Sequence, residues 1–169
     1  MKKGYIPIIK YDPQNRDEKG IYTKDEWTSH SDIGKIYNGS LFSQEDYEKT
    51  ESQYIQAFFE ILSYFHSSNV YVKHIFKISK FIDFKRSKDT FLYDTYMSVQ
   101  IGDVLSDPIV ISKLIQLRLR EYIGELELTI PSAIRSEIIF GFDYYMYLYT
   151  DKEVSSLLDK IEKIGLFTK

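Results

Sequence analysis

Three histidines are the first side chains in this sequence that could perform acid–base chemistry or hold a metal ion. They are His30, His66 and His74, and none has a second histidine at the spacing of a helical metal site. His30 lies two residues before Asp32, but an acid–base pair also needs a nucleophile or substrate within reach. His74 falls on the apolar side of an alternating segment, which is typical of a core histidine, and His66 ends a predicted helix, where a cation is favoured. We therefore expect no catalytic or metal-binding histidine.

Glycine and carboxylate patterns give no catalytic signature either. The scattered glycines form no dinucleotide-binding, Walker or Gly-x-Ser-x-Gly motif. Glu125 and Glu127 share one face of a short strand and could flank a glycosidic bond, although paired acidic side chains on an exposed strand are common. The absence of cysteine excludes disulfides, thiol nucleophiles and Cys-based zinc sites. We expect no catalytic, cofactor-binding or metal-binding residues and no small-molecule substrate; an active site built from distant residues stays open.

Aromatic residues are abundant, with 15 Tyr, 11 Phe and one Trp in 169 residues. Tyrosine combines a large apolar ring with a polar tip and is enriched at protein interfaces, although an AT-rich coding sequence would give the same excess. One predicted strand places four candidate partner-binding side chains on a single face: Asp143, Tyr145, Tyr147 and Tyr149. The alternative is that a helix over 151–164 covers this face and makes the tyrosines part of the core.

Charge is distributed unevenly along the chain. Residues 1–16 carry a net +3, residues 17–60 a net −6, residues 61–90 a net +4 and residues 91–169 a net −4. Such alternation argues against a uniform basic surface for nucleic acid and is compatible with a basic protein partner. In the acidic segment, Glu45, Glu48 and Glu51 are candidate partner-binding residues. The alternatives are solvated surfaces, or a regulatory nucleic-acid-binding protein that uses the basic residues between 70 and 88.

Capping signals and apolar spacing predict three helices that would position these residues. Ser43 and Asp46 form an imperfect capping box, Asp107-Pro108 combines a capping residue with a proline at the first helical position, and Thr150 and Glu153 have full capping-box spacing. The predicted helices run from Ser43 to about His66, from Asp107 to Gly124 and from Thr150 to Gly165.

Alternating and β-branched segments predict the strands, and Pro7 restricts the first of them to a sheet edge. The predicted strands cover residues 5–11, 70–78, 125–130 and 137–149. A short helix or ordered loop is expected over 25–42, with a turn at Asn38-Gly39, and a charged loop over 85–89. The sequence therefore predicts one α+β domain over 1–169, with a small, mainly antiparallel sheet and three or four packed helices.

Targeting signals are not evident. Lys2 and Lys3 precede no long apolar stretch, and no run approaches 18 apolar residues, so we expect neither a signal peptide nor a membrane span. The cytoplasm is the expected compartment.

Three stretches together are similar to a known family. They are Asp25 to Lys35, with Tyr47, Glu51 and Tyr54-Ile55 following; Leu117-Arg118-Leu119-Arg120-Glu121-Tyr122; and Phe140-Gly141-Phe142-Asp143-Tyr144-Tyr145-Met146-Tyr147. In this pattern, which covers most of residues 20–150, the chain resembles the immunity proteins of contact-dependent growth inhibition and related polymorphic toxin systems.

The resemblance implies a cytosolic antidote that binds the C-terminal toxin domain of a cognate secreted effector, often a nuclease that cleaves RNA, and blocks its active site or substrate access. It implies a one-to-one protein complex without direct nucleic-acid contact. It also implies architectural roles for the shared residues. Trp27 and Ile33 are expected to pack, Asp32 to cap a turn or helix, and Gly34 to adopt a backbone conformation unfavourable for other residues.

Overall fold

Residues 4–78, 89–132 and 134–168 are described by the computed structural model. Within these ranges the chain forms four α-helices, a six-stranded antiparallel sheet and a small two-stranded hairpin, which confirms the predicted α+β class. The elements, in chain order, are β1 (Ile6–Ile9), β2 (Ile36–Tyr37), β3 (Ser40–Leu41), α1 (Gln44–Tyr64), β4 (Val70–Lys77), α2 (Thr90–Ser98), β5 (Val104–Leu105), α3 (Pro108–Leu119), β6 (Ile123–Thr129), β7 (Ser136–Phe140), β8 (Tyr145–Thr150) and α4 (Ser155–Ile164).

The main sheet has the strand order β1-β8-β7-β6-β4-β5. Side chains on one of its faces, such as Leu128, Ile138 and Leu148, lie opposite one another across neighbouring strands and are fully buried. They belong to the same apolar core as buried residues of α1, α3 and α4. Because strand side chains alternate, the intervening residues project from the other face, which we call the open face.

Two predicted helix starts are confirmed. Ser43 and Asp46 form a complete capping box, in which each side chain accepts a hydrogen bond from the other residue's backbone N–H. At α3, the Asp107 carboxylate accepts from the N–H of Ile109 at 2.8 Å, and Pro108 occupies the first turn. Both helices therefore begin where the sequence predicts.

The predicted end of α3 at Gly124 is wrong. The helix ends at Leu119, and Glu121 reverses the chain with a φ of +63°. Gly124 instead lies inside β6, where a Cβ atom would come 3.0 Å from Cδ1 of Phe76. The glycine therefore permits close packing by the neighbouring strand and does not cap a helix.

The predicted long strand over 137–149 is also wrong, because it is a β-hairpin. β7 ends at Phe140 and β8 begins at Tyr145, and the loop between them contains two non-glycine residues with positive φ, Asp143 at +52° and Tyr144 at +60°. The hydrogen bond from the N–H of Gly141 to the carbonyl of Tyr145, at 2.8 Å, closes the loop. Phe142 projects into solvent at the tip.

Strand β4 follows the predicted alternation only in its first half. Val72 pairs with Leu128 on the buried face, but a register shift follows before His74, which pairs with Glu127. Such a bulge changes which side chains face the core. As a result Phe76 is exposed, and the imidazole of His74 lies 3.0 Å from the Glu125 carboxylate at the surface. The expectation of a core histidine at position 74 is wrong.

The last helix begins later than its predicted capping box. Val154 is the N-cap residue and makes no side-chain capping bond, while the Glu153 carboxylate accepts from the N–H of Ser155 at 2.9 Å. Thr150 is the last residue of β8, and its hydroxyl accepts from the N–H of Lys152. The predicted end at Gly165 is confirmed, with φ at +103°.

Pro7 lies in an edge strand, as predicted, because β1 pairs only with β8 along its length. Phe167 adds a single bridge to Ile9 on the outer side of β1. Asn38-Gly39 forms the predicted turn between β2 and β3.

Residues 85–88 of the predicted charged loop, and residues 79–88 of the basic segment, lie outside the described residues. Among the helices described, none has the length and apolar character needed to cross a membrane.

Candidate interaction surface

The loop around Trp27 is a structural element held by one carboxylate. Asp32 accepts hydrogen bonds from the N–H groups of Thr28 and Ser29 at 2.9 and 3.1 Å, and from the Lys35 ammonium at 2.6 Å. It closes a capping box on a short 3-10 turn, as expected of a capping residue. Gly34 follows with φ at +93°, which confirms its predicted conformation. Both oxygens of the Asp32 carboxylate are thus engaged by these donors, and the structure shows no hydrogen bond between it and His30.

The hydrogen bonds of Asp32 predict an acid-sensitive loop. Burial alone would raise the pKa of this carboxyl, but the bonds from Lys35, Thr28 and Ser29 outweigh it and lower the pKa from 3.8 to about 2. Since the folded-state pKa is depressed, the stabilisation is complete above pH 3.8 and is lost as the pH falls towards 2. We expect Asp32→Asn to flatten the pH dependence of thermal stability in this window. Circular-dichroism melting of both proteins measures it, with Asp94→Asn as the surface control; parallel profiles for wild type and Asp32→Asn would contradict the assignment.

Tyr144, in the stretch Phe140 to Tyr147, contacts residues of the two stretches Asp25 to Lys35 and Leu117 to Tyr122. Its ring packs edge-on against Trp27 with centroids 4.8 Å apart, and its hydroxyl donates to the carbonyl of Leu119 at 2.8 Å. Its own carbonyl accepts from the hydroxyl of the fully buried Tyr54. Trp27 and Ile33 pack against the core, as expected. The three stretches therefore meet inside the molecule and hold the architecture.

Glu51 is not available for docking. It is 3% exposed, and its carboxylate forms a bidentate ion pair with the Arg120 guanidinium, with both N–O distances at 2.7 Å. Gln116 donates a third hydrogen bond to the same carboxylate at 2.9 Å. The prediction that Glu51 shares a docking surface with Glu45 and Glu48 is therefore wrong, because only the last two are exposed.

Tyr145, Tyr147 and Tyr149 lie on the open face, where all three are half-buried. The helix α4 does not cover them, because its buried Leu157 and Ile161 belong to the core on the opposite face. Asp143, predicted to share this face, instead lies exposed in the hairpin loop. The open face therefore presents a row of three tyrosines.

Neighbouring rings hold the tyrosines in place. Tyr5, from the segment before β1, packs against Tyr147 and Tyr149 with centroid distances of 6.3 and 5.4 Å. Tyr145 and Tyr147 are stacked at 5.8 Å, and the Tyr145 hydroxyl accepts from the Arg16 guanidinium at 2.7 Å. These contacts restrict the rotamers of the row before any partner binds.

Paired charges flank the tyrosines on the open face. The Lys73 ammonium lies 3.0 Å from Glu137 and 3.3 Å from Glu127, and the Arg135 guanidinium lies 3.1 Å from Glu137 and over the ring of Tyr149. Burial would raise the pKa of Glu137, but the hydrogen bonds from Lys73 and Arg135 prevail and lower it. This part of the face therefore carries no excess of either charge.

A continuous series of side chains in ring–ring and cation–π contact, which we call the aromatic belt, extends from the open face to the loop around Trp27. Tyr145 contacts Tyr11 at 5.9 Å, and the Lys10 ammonium lies 4.0 Å from the centre of the Tyr11 ring and 4.1 Å from that of Trp27. Trp27 then stacks on Phe42 at 4.4 Å. The members of the belt are Tyr149, Tyr5, Tyr147, Tyr145, Tyr11, Lys10, Trp27 and Phe42.

Two buried basic residues were not identified from the sequence. Lys10 lies between Tyr11 and Trp27 and pairs with Glu26 at 2.9 Å, and its burial lowers its pKa despite that partner. The guanidinium of Arg118 donates to the carbonyl of Gly141, and its Nε has no hydrogen-bond partner among the described residues. Burial lowers the pKa of Arg118 as well. Arg118 falls at the helical spacing of Leu114 and Ile115, which is the one sequence signal for its burial.

No cluster in the described ranges combines three or more His, Cys, Asp or Glu side chains in a geometry that could hold a metal ion. Of the histidines there, His30 packs edge-on against Tyr47 at 4.6 Å, and burial and the nearby Arg120 lower its pKa. His66 follows the end of α1 with φ at +52°, in line with a helix-terminal role.

Comparison of the chain with protein-family models, with characterised proteins and with solved structures gives no significant match. The open face and the aromatic belt are therefore the features of the molecule that bear on its function.

Proposed function

We propose that this chain is a cytoplasmic immunity protein that binds the toxin domain of a secreted effector in a one-to-one complex and neutralises it. The open face with its row of tyrosines is the observation that carries the proposal. Tyr147 and Tyr149 expose part of their rings on a sheet face, and both pack against the ring of Tyr5. Large aromatic side chains that are already ordered bind protein surfaces at a low cost in entropy.

The charge pattern supports a protein ligand for this face. Lys73 and Arg135 are neutralised by Glu127 and Glu137, so the tyrosines are not set in a basic stripe such as nucleic acid requires. Glu45 and Glu48 expose further negative charge in the first turns of α1, on the other side of the sheet. An RNA-cleaving toxin has a basic cleft for phosphates, and exposed carboxylates would speed its association.

The direct test is co-expression of the chain with the C-terminal domain of any large secreted effector whose gene lies next to its own. A stable one-to-one complex that abolishes the nuclease activity of the toxin is the expected result. An uninhibited toxin without complex formation would contradict the pairing. Salt-sensitive RNA binding by the isolated protein would overturn the proposal in favour of the nucleic-acid-binding alternative.

Substitution of the central tyrosine of the row is expected to weaken the complex strongly. Tyr147→Ala removes a ring from the middle of the open face, and truncation of such an aromatic anchor costs about 2 kcal/mol of binding free energy, or roughly a 30-fold loss of affinity. Isothermal titration calorimetry with the toxin domain measures the change. Phe91→Ala, on the exposed side of α2, removes a ring 65% exposed to solvent and serves as the control. Equal affinity for the two variants would exclude the open face as the binding surface.

A further inference from the structure

A groove lies at the end of the aromatic belt furthest from the open face. It has a volume of about 420 Å³ and runs between the β2–β3 hairpin, the residues before Trp27 and the first turns of α1. Its wall includes Trp27 and Phe42, which are stacked on each other, and Tyr37, whose ring centroid lies 6.4 Å from that of Phe42. Aromatic and apolar walls suit the long hydrocarbon stem of a basic side chain.

Three carboxylates line the groove, and they differ in the hydrogen bonds and ion pairs that they already make within the protein. Glu26 pairs with Lys10 at 2.9 Å and with Lys24 at 3.4 Å. Asp46 caps α1 through Ser43. The exposed carboxylate of Asp25 has no hydrogen bond or ion pair in the part of the chain that the structure describes. It is therefore the acidic group in the groove that remains open to a ligand.

The surroundings of the groove favour a cation. Lys24 and Lys49 also line it, but Lys24 is engaged by Glu26 at 3.4 Å. The three carboxylates and two ammonium groups that line the groove give it a net charge of −1. Charge complementarity thus selects a basic rather than an acidic or neutral side chain.

We propose that the groove receives an arginine side chain from the same protein partner that binds the open face. A guanidinium is planar, stacks on aromatic rings and pairs with carboxylates in a fork, so it matches a groove with aromatic walls and a free Asp25. The aromatic belt connects the groove to the open face through side chains that are themselves buried, with Tyr11 and Phe42 each 5% exposed, so a partner that binds both would contact two exposed patches on either side of it. This inference rests on the proposed function for the identity of its ligand.

The groove can be tested without the toxin because Trp27 is the sole tryptophan of the chain. Its fluorescence is therefore a local reporter of groove occupancy. A short capped peptide, Gly-Arg-Gly-amide, should change the emission of the full-length protein saturably, with a Kd on the order of millimolar for a single side chain. The same peptide with citrulline, a neutral isostere of arginine, should give no saturable change.

The decisive variant is Asp25→Asn, which keeps the shape of the side chain and removes its charge. We expect it to weaken binding of the arginine peptide at least tenfold, while Asp94→Asn on α2 leaves binding unchanged. Equal responses to the arginine and citrulline peptides, or an unchanged response in Asp25→Asn, would overturn the inference.

The outcome for the groove is separate from the outcome for the proposed function. If the toxin complex forms and depends on Tyr147 while the peptide does not bind, the groove inference alone fails. If the peptide binds and no toxin complex forms, the groove is a genuine arginine site and the proposed partner is wrong.

Discussion

Glu51→Ala is expected to destabilise the protein by about 3–5 kcal/mol. The substitution leaves the Arg120 guanidinium largely buried without its counter-charge, and it also removes the acceptor of Gln116. The cost therefore comes mainly from the unpaired charge that remains and not from the Coulomb energy of the pair. Urea denaturation followed by circular dichroism gives the difference in the free energy of unfolding.

A double substitution separates these two contributions. Glu51→Leu combined with Arg120→Met replaces both charged groups by apolar ones of similar size, and such replacements are often neutral or stabilising. We expect the double variant to regain most of the stability lost in Glu51→Ala. Glu48→Ala, one helical turn earlier on the exposed side of α1, is the matched control and should change the free energy of unfolding by less than about 0.5 kcal/mol. If Glu51→Ala behaved like Glu48→Ala, the bidentate pair would contribute nothing to the fold.

Tyr144→Ala is expected to have an effect of the same size. Removal of a buried aromatic side chain costs about 3–5 kcal/mol, because the lost burial is accompanied by a cavity. In this protein the ring contacts Trp27 from one stretch of the chain, and its hydroxyl bonds the last carbonyl of α3, at Leu119. The variant should also shift the fluorescence of Trp27 in the folded state, because the tryptophan loses an edge-on neighbour.

Two further variants separate the contribution of the Tyr144 ring to the free energy of unfolding from that of its hydroxyl and of the surrounding loop. Tyr144→Phe keeps the ring and removes only the hydrogen bond to Leu119, so it should cost about 1 kcal/mol. Phe142→Ala, two residues earlier in the same loop, removes a ring that is 76% exposed and should have little effect. A cost for Phe142→Ala as large as that for Tyr144→Ala would mean that the hairpin loop, and not the buried ring, carries the stability.

Local signals in the sequence predict the fold well where a single interaction decides the structure. The Ser43 capping box and the Asp107-Pro108 helix start are each completed within four residues, and both are found in place. The class of fold follows from such signals. The predicted ends of helices and strands are wrong where a residue adopts a backbone conformation that is unusual for its type. Glu121, for example, follows the end of α3 with a left-handed backbone.

The hairpin between β7 and β8 shows why alternation alone is insufficient. Its loop has four residues, an even number, so the apolar alternation of Phe140, Met146 and Leu148 continues as if the strand were unbroken. Gly141 and Asp143 were the available signs of a turn. In β4 the opposite occurs, because one extra residue at the bulge ends the alternation while the strand continues.

The candidate surface could be predicted only in part. The tyrosines of β8 follow from a period of two, and they lie on one face as expected. Their exposure could not be predicted, because it depends on the face of the sheet against which α4 packs. The aromatic belt could not be predicted either, because it depends on contacts between residues distant in sequence, such as Tyr11 and Tyr145. Glu51 could have been excluded as a docking residue, since it falls between Tyr47 and Tyr54 on the buried stripe of α1.

The position of β1 in the sheet has a consequence for how the protein folds as it is synthesised. Ile6 pairs with Leu148 and Ile8 with Met146, so β1 cannot take its place in the sheet until β8 has been synthesised. The hairpin of β7 and β8 closes over a short loop and can form early, whereas β1 joins after loop closure over some 140 residues, which is entropically slow. Until then the apolar edge of β8 lacks its neighbour and is open to other chains. Pairing of β1 with β8 should therefore be a late step in folding, during which strand β8 is the part of the sheet most exposed to aggregation.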